Sequence, residues 1–331
     1  MFEGKTILIT GGTGFLGRAL TKKILEYKPH SIRIYSRDEV KHHKMQEMMP
    51  DKHLRHLIGD VRDYSRLERA MKGVDIVIHA AALKRIDMLE YNVQESIKTN
   101  IEGTINVVNA CLRNNVEKAV FISTDKACSP INSYGACKFL GERIFVESNY
   151  NKGNARTAFV AARYGNVLAS TGSIIPFFIE KITNKEKLTL TDNRMTRFFL
   201  SVERAVDEVI NALQYGVGGE IFIPKLKSLK ITDLLEVLQE IYGPTGIETI
   251  GIRPGEKIDE YLINEDEITR TYDFKESYII LSQIAKYQNV NYSYLKNKKR
   301  PAIKIYSSGD KNNLLTKKEI PKILKSADLL R

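Results

Sequence analysis

Six short apolar runs divide the first half of the chain, and the hydrophobic period changes between them. Residues 5–10 (KTILIT), 31–36 (SIRIYS), 54–58, 74–79, 119–123 and 157–162 are rich in β-branched and aliphatic side chains, with few polar interruptions. Such runs are expected of strands covered on both faces. After the first run Leu16, Leu20, Ile24 and Leu25 recur at helical spacing over residues 15–26. The later intervals are long enough for helices, and none carries a hairpin signal. Alternating strands and helices with buried strands predict an α/β fold built on a doubly wound parallel sheet. After about residue 165 the pattern loosens into shorter elements punctuated by Pro176, Pro224, Pro244 and Pro254, which predicts a smaller unit over the C-terminal ends of the strands.

Composition narrows the class. The 331 residues are 43% hydrophobic and 27% charged, the balance of a folded globular protein rather than of a disordered or collagen-like one. Cys111, Cys128 and Cys137 are sparse, odd in number and without metal-ligand spacing, so reduced thiols in a cytoplasmic protein are expected and no metal site is read. The longest apolar segment, residues 74–83, is broken by Asp75 and His79, and the N-terminus lacks a basic segment leading into an apolar stretch. Neither a secretion signal nor a membrane span is expected. Charge is uneven: residues 286–331 hold 12 basic and 3 acidic side chains against a net +11 for the whole chain. Tyr287, Tyr292, Tyr294 and Tyr306 interleave with that charge, a composition that suits nucleic acid. No recognition motif accompanies it, so a solvated extension or an arm on a neighbouring subunit is the expectation, with no nucleic-acid partner.

Glycines spaced G-x-x-G-x-x-G, at Gly11, Gly14 and Gly17, fall between the first strand and the first helix. Without Cβ atoms the backbone turns tightly, approaches a pyrophosphate and aims helix N-terminal N–H groups at its charge. Strand, glycine loop and helix in a chain of βα units is the Rossmann-like dinucleotide context. At the end of the second strand, where NAD favours an acidic residue, stand Ser36 and Arg37. A guanidinium there pairs with a 2′-phosphate and favours NADP, although Asp38 and Glu39 follow and suit a free ribose.

Tyr134 and Lys138 lie four residues apart in a helical segment and so share a face. A nearby ammonium is expected to lower the phenol and fit Tyr134 to take a hydroxyl proton as hydride leaves the same carbon. Ser123, Thr124, Asp125 and Lys126 end the preceding strand, where ligands bind in doubly wound sheets. His79, after another strand, reads as a packing or hydrogen-bonding residue.

With TGGTGFLG, Asp60-Val61, HAAA, Asn100, STDKA, YGACK and Arg163-Tyr164-Gly165-Asn166-Val167 in this order, the whole chain resembles the extended short-chain dehydrogenase/reductase family. YSRDE, GDVRD, TRF, GGEIFIPK, IRPGEK and YSSGDKNN narrow the resemblance to the bacterial UDP-N-acetylglucosamine 4,6-dehydratases of deoxyamino-sugar and capsule synthesis. That family implies bound NADP, a homo-oligomer and UDP-N-acetylglucosamine as substrate. By resemblance, Gly11, Gly14 and Gly17 hold the pyrophosphate, Arg37 the adenosine phosphate, and Asp60 and Val61 the adenine. Thr13, Phe15, Leu16, Ser36, Ala80, Ala81, Ala82, Lys84, Asn100 and Tyr164 line the rest of the cofactor. Tyr134 and Lys138 meet the nicotinamide ribose and the reacting hydroxyl. Lys84, Asn166, Arg197, Arg253 and Glu256 meet the sugar nucleotide. Residues 1–165 then form the cofactor domain with segments near 196–225 returning to it, residues 166–285 mainly the substrate domain, and residues 286–331 the basic extension. Glucose-type dehydratases carry an Asp-Glu pair after the threonine, whereas Thr124 precedes Asp125-Lys126 here. On this reading Asp125 is the acid at C6 and Lys126, lowered by partial burial and by Lys138, the base at C5, with inversion there. A C5-retaining dehydratase, a UDP-hexose 4-epimerase and a non-catalytic NADP-binding regulator are the alternatives.

Overall fold

The computed structural model describes residues 1–330 apart from 171, 288 and 289. Strands β1 (Thr6–Thr10), β2 (Ser31–Ser36), β3 (Leu54–Ile58), β4 (Ile76–His79), β5 (Lys118–Ile122) and β6 (Ala158–Ala162) pair in parallel in the spatial order 3-2-1-4-5-6. All five residues of β1 and all five of β6 are buried, which explains why neither strand alternates. The chain steps one way from β1 to β3 and the other way from β4 to β6. Right-handed crossovers therefore put the two sets of helices on opposite faces and leave a crevice at the C-terminal ends of β1 and β4.

A seventh parallel strand, Glu220–Pro224, joins β6, and a hairpin of Thr271–Phe274 and Ser277–Leu281 closes that edge antiparallel. The sheet is thus parallel except for this edge, whose hairpin lies beyond the six runs read from the sequence. Two-residue hairpin turns ordinarily use Asn-Gly or Asp-Gly because they need positive φ; here Lys275 takes φ 53° itself.

Two apolar cores result. One surrounds the sheet, with Ile7, Leu8, Ile9, Val77, Val120 and Phe159 among its members. The other gathers Phe178 and Ile182 of the helix Ile174–Thr183 against Leu234, Leu235 and Leu238 of the helix Ile231–Tyr242. The basic C-terminal segment straps both: Tyr306 is buried in the first core, while Ile320 and Leu324 are buried in the second. Tyr292 donates to the Gly218 carbonyl at 2.8 Å and Tyr294 to Glu220 Oε1 at 2.9 Å. The extension therefore packs on its own chain, correcting the expectation of a solvated extension, and Tyr292, Tyr294 and Tyr306 are anchors rather than stacking platforms. Among the described residues no helix is long and apolar enough to cross a membrane.

Arg163, which follows β6, is 1% exposed and forks onto two carboxylates. It donates to Glu142 at 2.8 and 2.6 Å and to Glu267 at 2.8 and 2.9 Å, with a further bond of 2.9 Å to the Leu262 carbonyl. Glu142 lies on the helix Ser133–Asn151, and Glu267 closes a capping box with Asn264. Arg163→Leu would strand two buried carboxylates, and a loss of about 3–5 kcal/mol is expected. Urea unfolding followed by circular dichroism measures it; a midpoint equal to that of the parent protein would remove the clamp from the account.

Glu208 is fully buried, accepts from Ser277 Oγ at 2.8 Å through one oxygen, and has no hydrogen-bond partner for the other among the described residues. Burial pushes its carboxyl from 4.5 up to about 7. Because the folded state holds this proton more tightly than the unfolded chain, stability is full below pH 4.5 and declines as pH rises through 7. The loss amounts to about 3 kcal/mol at most. Glu208→Gln is expected to flatten the difference in unfolding free energy between pH 5 and pH 8; an unchanged difference would count against the assignment.

Candidate active site

At the crevice the glycine loop leaves β1 and abuts the end of β4. Gly11 adopts φ +68°, and a Cβ there would lie 2.8 Å from the Ala81 nitrogen and 2.9 Å from the Ala80 carbonyl. A Cβ on Gly17 would come within 2.5 Å of the Gly12 oxygen. Helix α1 (Phe15–Leu25) starts directly after Gly14 with no side-chain cap, so its first N–H groups stay available to an anion. Phe15 and Leu16 are half-buried at its mouth.

Thr13 Oγ1 bonds Ser36 Oγ at 2.8 Å, and Ser36 Oγ bonds His42 Nε2 at 2.9 Å, tying the loop to β2 and to helix α2 (Glu39–Met48). The half-exposed Arg37 lies 3.6 Å from Asp60, which also pairs with Arg62 at 2.7 Å, and Val61 beside them is buried. Asp38 is engaged as the cap of α2, accepting from the Lys41 N–H at 3.0 Å. Beyond β4, Ala80 and Ala81 bond Thr10 through their N–H groups, and Ala82 is half-buried. Asn100, buried in a π-helical turn Ile97–Glu102, bonds both the N–H and the carbonyl of Leu83, at 2.8 and 2.9 Å. It fixes the loop that carries the exposed Lys84. His79 is buried between Thr10 and Thr104, at 2.7 and 3.0 Å, as expected of a packing residue.

The ionisable residues meet where β5 ends. Asp125 is fully buried in the short turn Asp125–Ala127, and its Oδ1 accepts from Thr124 Oγ1 at 2.9 Å and Lys126 Nζ at 3.0 Å. Its Oδ2 has no hydrogen-bond partner among the described residues. Lys126 Nζ also lies 3.4 Å from Asn166 Oδ1 and 3.5 Å from Glu260 Oε1. The helix Ser133–Asn151, capped by Asn132 on the Gly135 N–H at 2.7 Å, delivers Tyr134 and Lys138 in its first turns. Tyr134 shares a hydrogen bond with Thr124. Tyr164 is buried nearby, and its carbonyl accepts from the Asp125 N–H at 3.0 Å.

Electrostatics here depart from the sequence expectation in two ways. Burial pushes the Tyr134 phenol up to about 12, and the cation drawing it down is Lys126 rather than Lys138. Lys138 sits 4.1 Å from the centre of the Phe121 ring, and burial brings it down to about 7 against the pull of Glu142. Lys126 is not lowered: burial would do so, but the charges of Asp125 and Glu260 outweigh it and hold the ammonium above the ordinary lysine range. Burial raises the Asp125 carboxyl, opposed by Lys126.

Asn166 joins this cluster, while the other residues assigned to the substrate lie around it. Arg197 turns inward, donating to the Thr196 and Ile258 carbonyls at 2.7 and 3.0 Å and lying 3.9 Å from Glu260. Arg253 is exposed, and its N–H donates to Glu256 at 3.4 Å. Their loop rests on the helix that bears Tyr134, for Asn132 donates to the Gly255 carbonyl at 2.7 Å. Sequence reasoning missed Glu260 and Lys257; the available signal was an acid placed directly before the apolar run Tyr261–Ile263 and three residues after the IRPGEK lysine. Among the described residues no cluster of three His, Cys, Asp or Glu side chains suits a metal.

The chain is 49% identical over 286 residues to the UDP-N-acetylglucosamine 4,6-dehydratase (inverting) of Campylobacter jejuni subsp. jejuni serotype O:23/36, covering 86% of this chain and 85% of that one. It is 38% identical over 336 residues to the UDP-glucose 4-epimerase of Rickettsia akari, covering 100% and 98%. Among solved structures, that of Pen from Bacillus thuringiensis matches with a TM-score of 0.93 at 38% identity over the full length of both chains. The profile of the polysaccharide biosynthesis protein family matches residues 7–282, and the chain belongs to that family.

Proposed function

We propose that this protein is a nucleotide-sugar hydro-lyase, an NADP-dependent UDP-N-acetylglucosamine 4,6-dehydratase that inverts C5. The observation that carries the reading is the pair of buried Asp125 and half-buried Lys126 at 3.0 Å, set beside Tyr134 and Asn166 at the mouth of the glycine crevice. The crevice suits a dinucleotide because Gly11 and Gly17 leave no room for a Cβ and α1 keeps its first N–H groups uncapped. Gly11, Thr13, Gly14, Phe15, Leu16 and Gly17 would hold the pyrophosphate, with Asp60 and Val61 at the adenine. Ala80, Ala81, Ala82, Asn100 and Tyr164 would line the rest. Ser36 and Arg37 favour the 2′-phosphate of NADP, since Asp38 is engaged as a helix cap. A nicotinamide bound there supplies a hydride acceptor for C4 and a donor for C6, so the reaction has no net oxidation.

The chain's own residues move the protons. Tyr134, kept a neutral phenol by burial, takes the C4 hydroxyl proton as its own phenolic proton passes on to Lys138, which near 7 is partly the free amine at working pH. One proton passed across the 3.0 Å from Lys126 Nζ to Asp125 Oδ1 turns the ion pair into a neutral amine and a carboxylic acid. The amine removes the C5 proton and the acid protonates the departing C6 hydroxyl, which leaves as water. Both groups return to their starting charges, and as hydride reaches C6 a solvent-exchanged proton enters C5 from the opposite face, balancing the one that left the C4 hydroxyl through Tyr134. Residues 166–285 supply Asn166, Arg197, Arg253 and Glu256 to the UDP-sugar, whose diphosphate suits guanidinium bonding. A homo-oligomer in the cytoplasm completes the reading.

A 4-epimerase has no use for an acid at C6, and the product separates the two. In D₂O with UDP-N-acetylglucosamine and no added cofactor, NMR and mass spectrometry are expected to show a 4-keto-6-deoxy sugar lighter by one water, with deuterium at C5. Unchanged substrate, or an epimer of unchanged mass, would overturn the reading. Lys126→Ala is expected to lose C5 deuteration and to slow turnover by at least about 100-fold; full deuterium incorporation in that variant would remove the lysine from the base role.

A further inference from the structure

Glu260 is buried in the active cluster, yet no step of the reaction uses it. Its backbone is fixed from both sides by Ser308: the Glu260 N–H donates to Ser308 Oγ at 2.8 Å, and the Ser308 N–H donates to the Glu260 carbonyl at 2.9 Å. From that anchor the carboxylate points at three cations. Oε1 lies 3.5 Å from Lys126 Nζ and 3.9 Å from Arg197 Nε, and Oε2 lies 3.8 Å from Lys257 Nζ. Oε2 accepts no hydrogen bond among the described residues. Lys257 and Arg197 both spend their short bonds on carbonyls, at 2.7 Å to Cys128 and 2.7 Å to Thr196. A carboxylate kept for packing closes onto one partner, as Glu142 does on Arg163 at 2.6 Å. Glu260 instead stands off from three charges and acts on them through its field.

We propose that Glu260 is a positioning residue: it holds Lys126 against Asp125 and, with its charge divided among Lys126, Arg197 and Lys257, sets the pH at which the Asp125–Lys126 pair gives up the first of its two protons and reaches its working form. The inference rests on Lys126 serving as the base. The charged and titratable groups facing Lys126 are Asp125 beside it, Tyr134 from the helix, Arg197 from the strand Thr196–Leu200, and Lys257 and Glu260 from the segment before Tyr261–Ile263. Of these, Glu260 is the carboxylate outside the reacting pair; its charge favours the Lys126 ammonium and raises the Asp125 carboxyl, so removing it lets the pair lose a proton at lower pH.

The test is the pH profile of turnover at saturating UDP-N-acetylglucosamine, read on the limb that rises as the doubly protonated Asp125–Lys126 pair loses its first proton and keeps the one the two groups share. Glu260→Gln keeps the shape and removes the charge; its rising limb is expected to move to lower pH by about one unit, with KM changed by less than about threefold. Lys257→Met removes a cation that shares Glu260 and repels Lys126, and its limb is expected to move to higher pH. A packing role would lower the rate at every pH and move neither limb. Unmoved limbs, or limbs that move the same way, overturn the proposal; if Glu260→Gln does not fold, the direction of the Lys257→Met shift decides it. Lys126→Ala that retains both turnover and C5 exchange would overturn the base assignment itself, a different failure from unmoved limbs in a protein that Lys126→Ala inactivates.

Discussion

The buried double fork of Arg163 is the constraint on which the site's geometry depends. Its guanidinium follows β6, its first carboxylate belongs to the helix that carries Tyr134 and Lys138, and its second belongs to the segment that follows Glu260 and the strand Tyr261–Ile263. Burying three charges is expensive unless each is fully bonded, and here every guanidinium nitrogen donates. Removing the arginine would strand two buried carboxylates, so the sheet, the helix that bears Tyr134 and the segment after Glu260 keep one relative placement. Distances of 3.0 Å from Lys126 to Asp125 and 3.5 Å from Lys126 to Glu260 need that placement, because the two carboxylates arrive from elements 135 residues apart in the chain.

Within that frame, burial and charge work against each other at every ionisable group. Asp125 and Tyr134 are raised by burial, while Lys126, which burial alone would lower, is held up by the carboxylates beside it. The outcome is a cluster in which burial favours the neutral forms of Asp125 and Tyr134 while the neighbouring carboxylates favour the charged form of Lys126. The proposed acid and base roles use that opposition, because the 3.0 Å bond joins a carboxyl that burial inclines to hold a proton to an ammonium able to give one.

Much of this was legible in the sequence because it is local. Buried strands declare themselves by unbroken apolar runs, the phosphate loop by glycines whose missing Cβ atoms make room for Ala80 and Ala81, and the Tyr134–Lys138 face by helical spacing. What stayed hidden depends on contacts between distant residues. The hairpin at the sheet edge lacks its usual signal because Lys275 adopts the left-handed conformation in place of glycine or asparagine. The C-terminal segment displays its lysines in the sequence, whereas its tyrosines and Ile320 and Leu324 do the packing. Arg163 reads as one more member of a motif until Glu142 and Glu267 converge on it. No local pattern reveals that two carboxylates, rather than Lys138, control Lys126.

The two lysines show how far environment outweighs residue type. Lys138 lies over the Phe121 ring, whose face attracts a cation only weakly compared with a carboxylate, and burial takes it down to about 7. Lys126 keeps its charge because Asp125 and Glu260 lie within 3.5 Å of it. At neutral pH the first is poised to exchange protons, and the second is an ammonium that needs an acceptor before it can act as a base. Asp125 is that acceptor, since the same burial that raises its carboxyl makes it the group most willing to hold the proton the lysine gives up. A glutamate at position 126 would turn this cluster into three carboxylates around one site, with no ammonium to donate the proton that Asp125 needs. On the function proposed here the lysine both removes a proton from the sugar and charges the acid beside it.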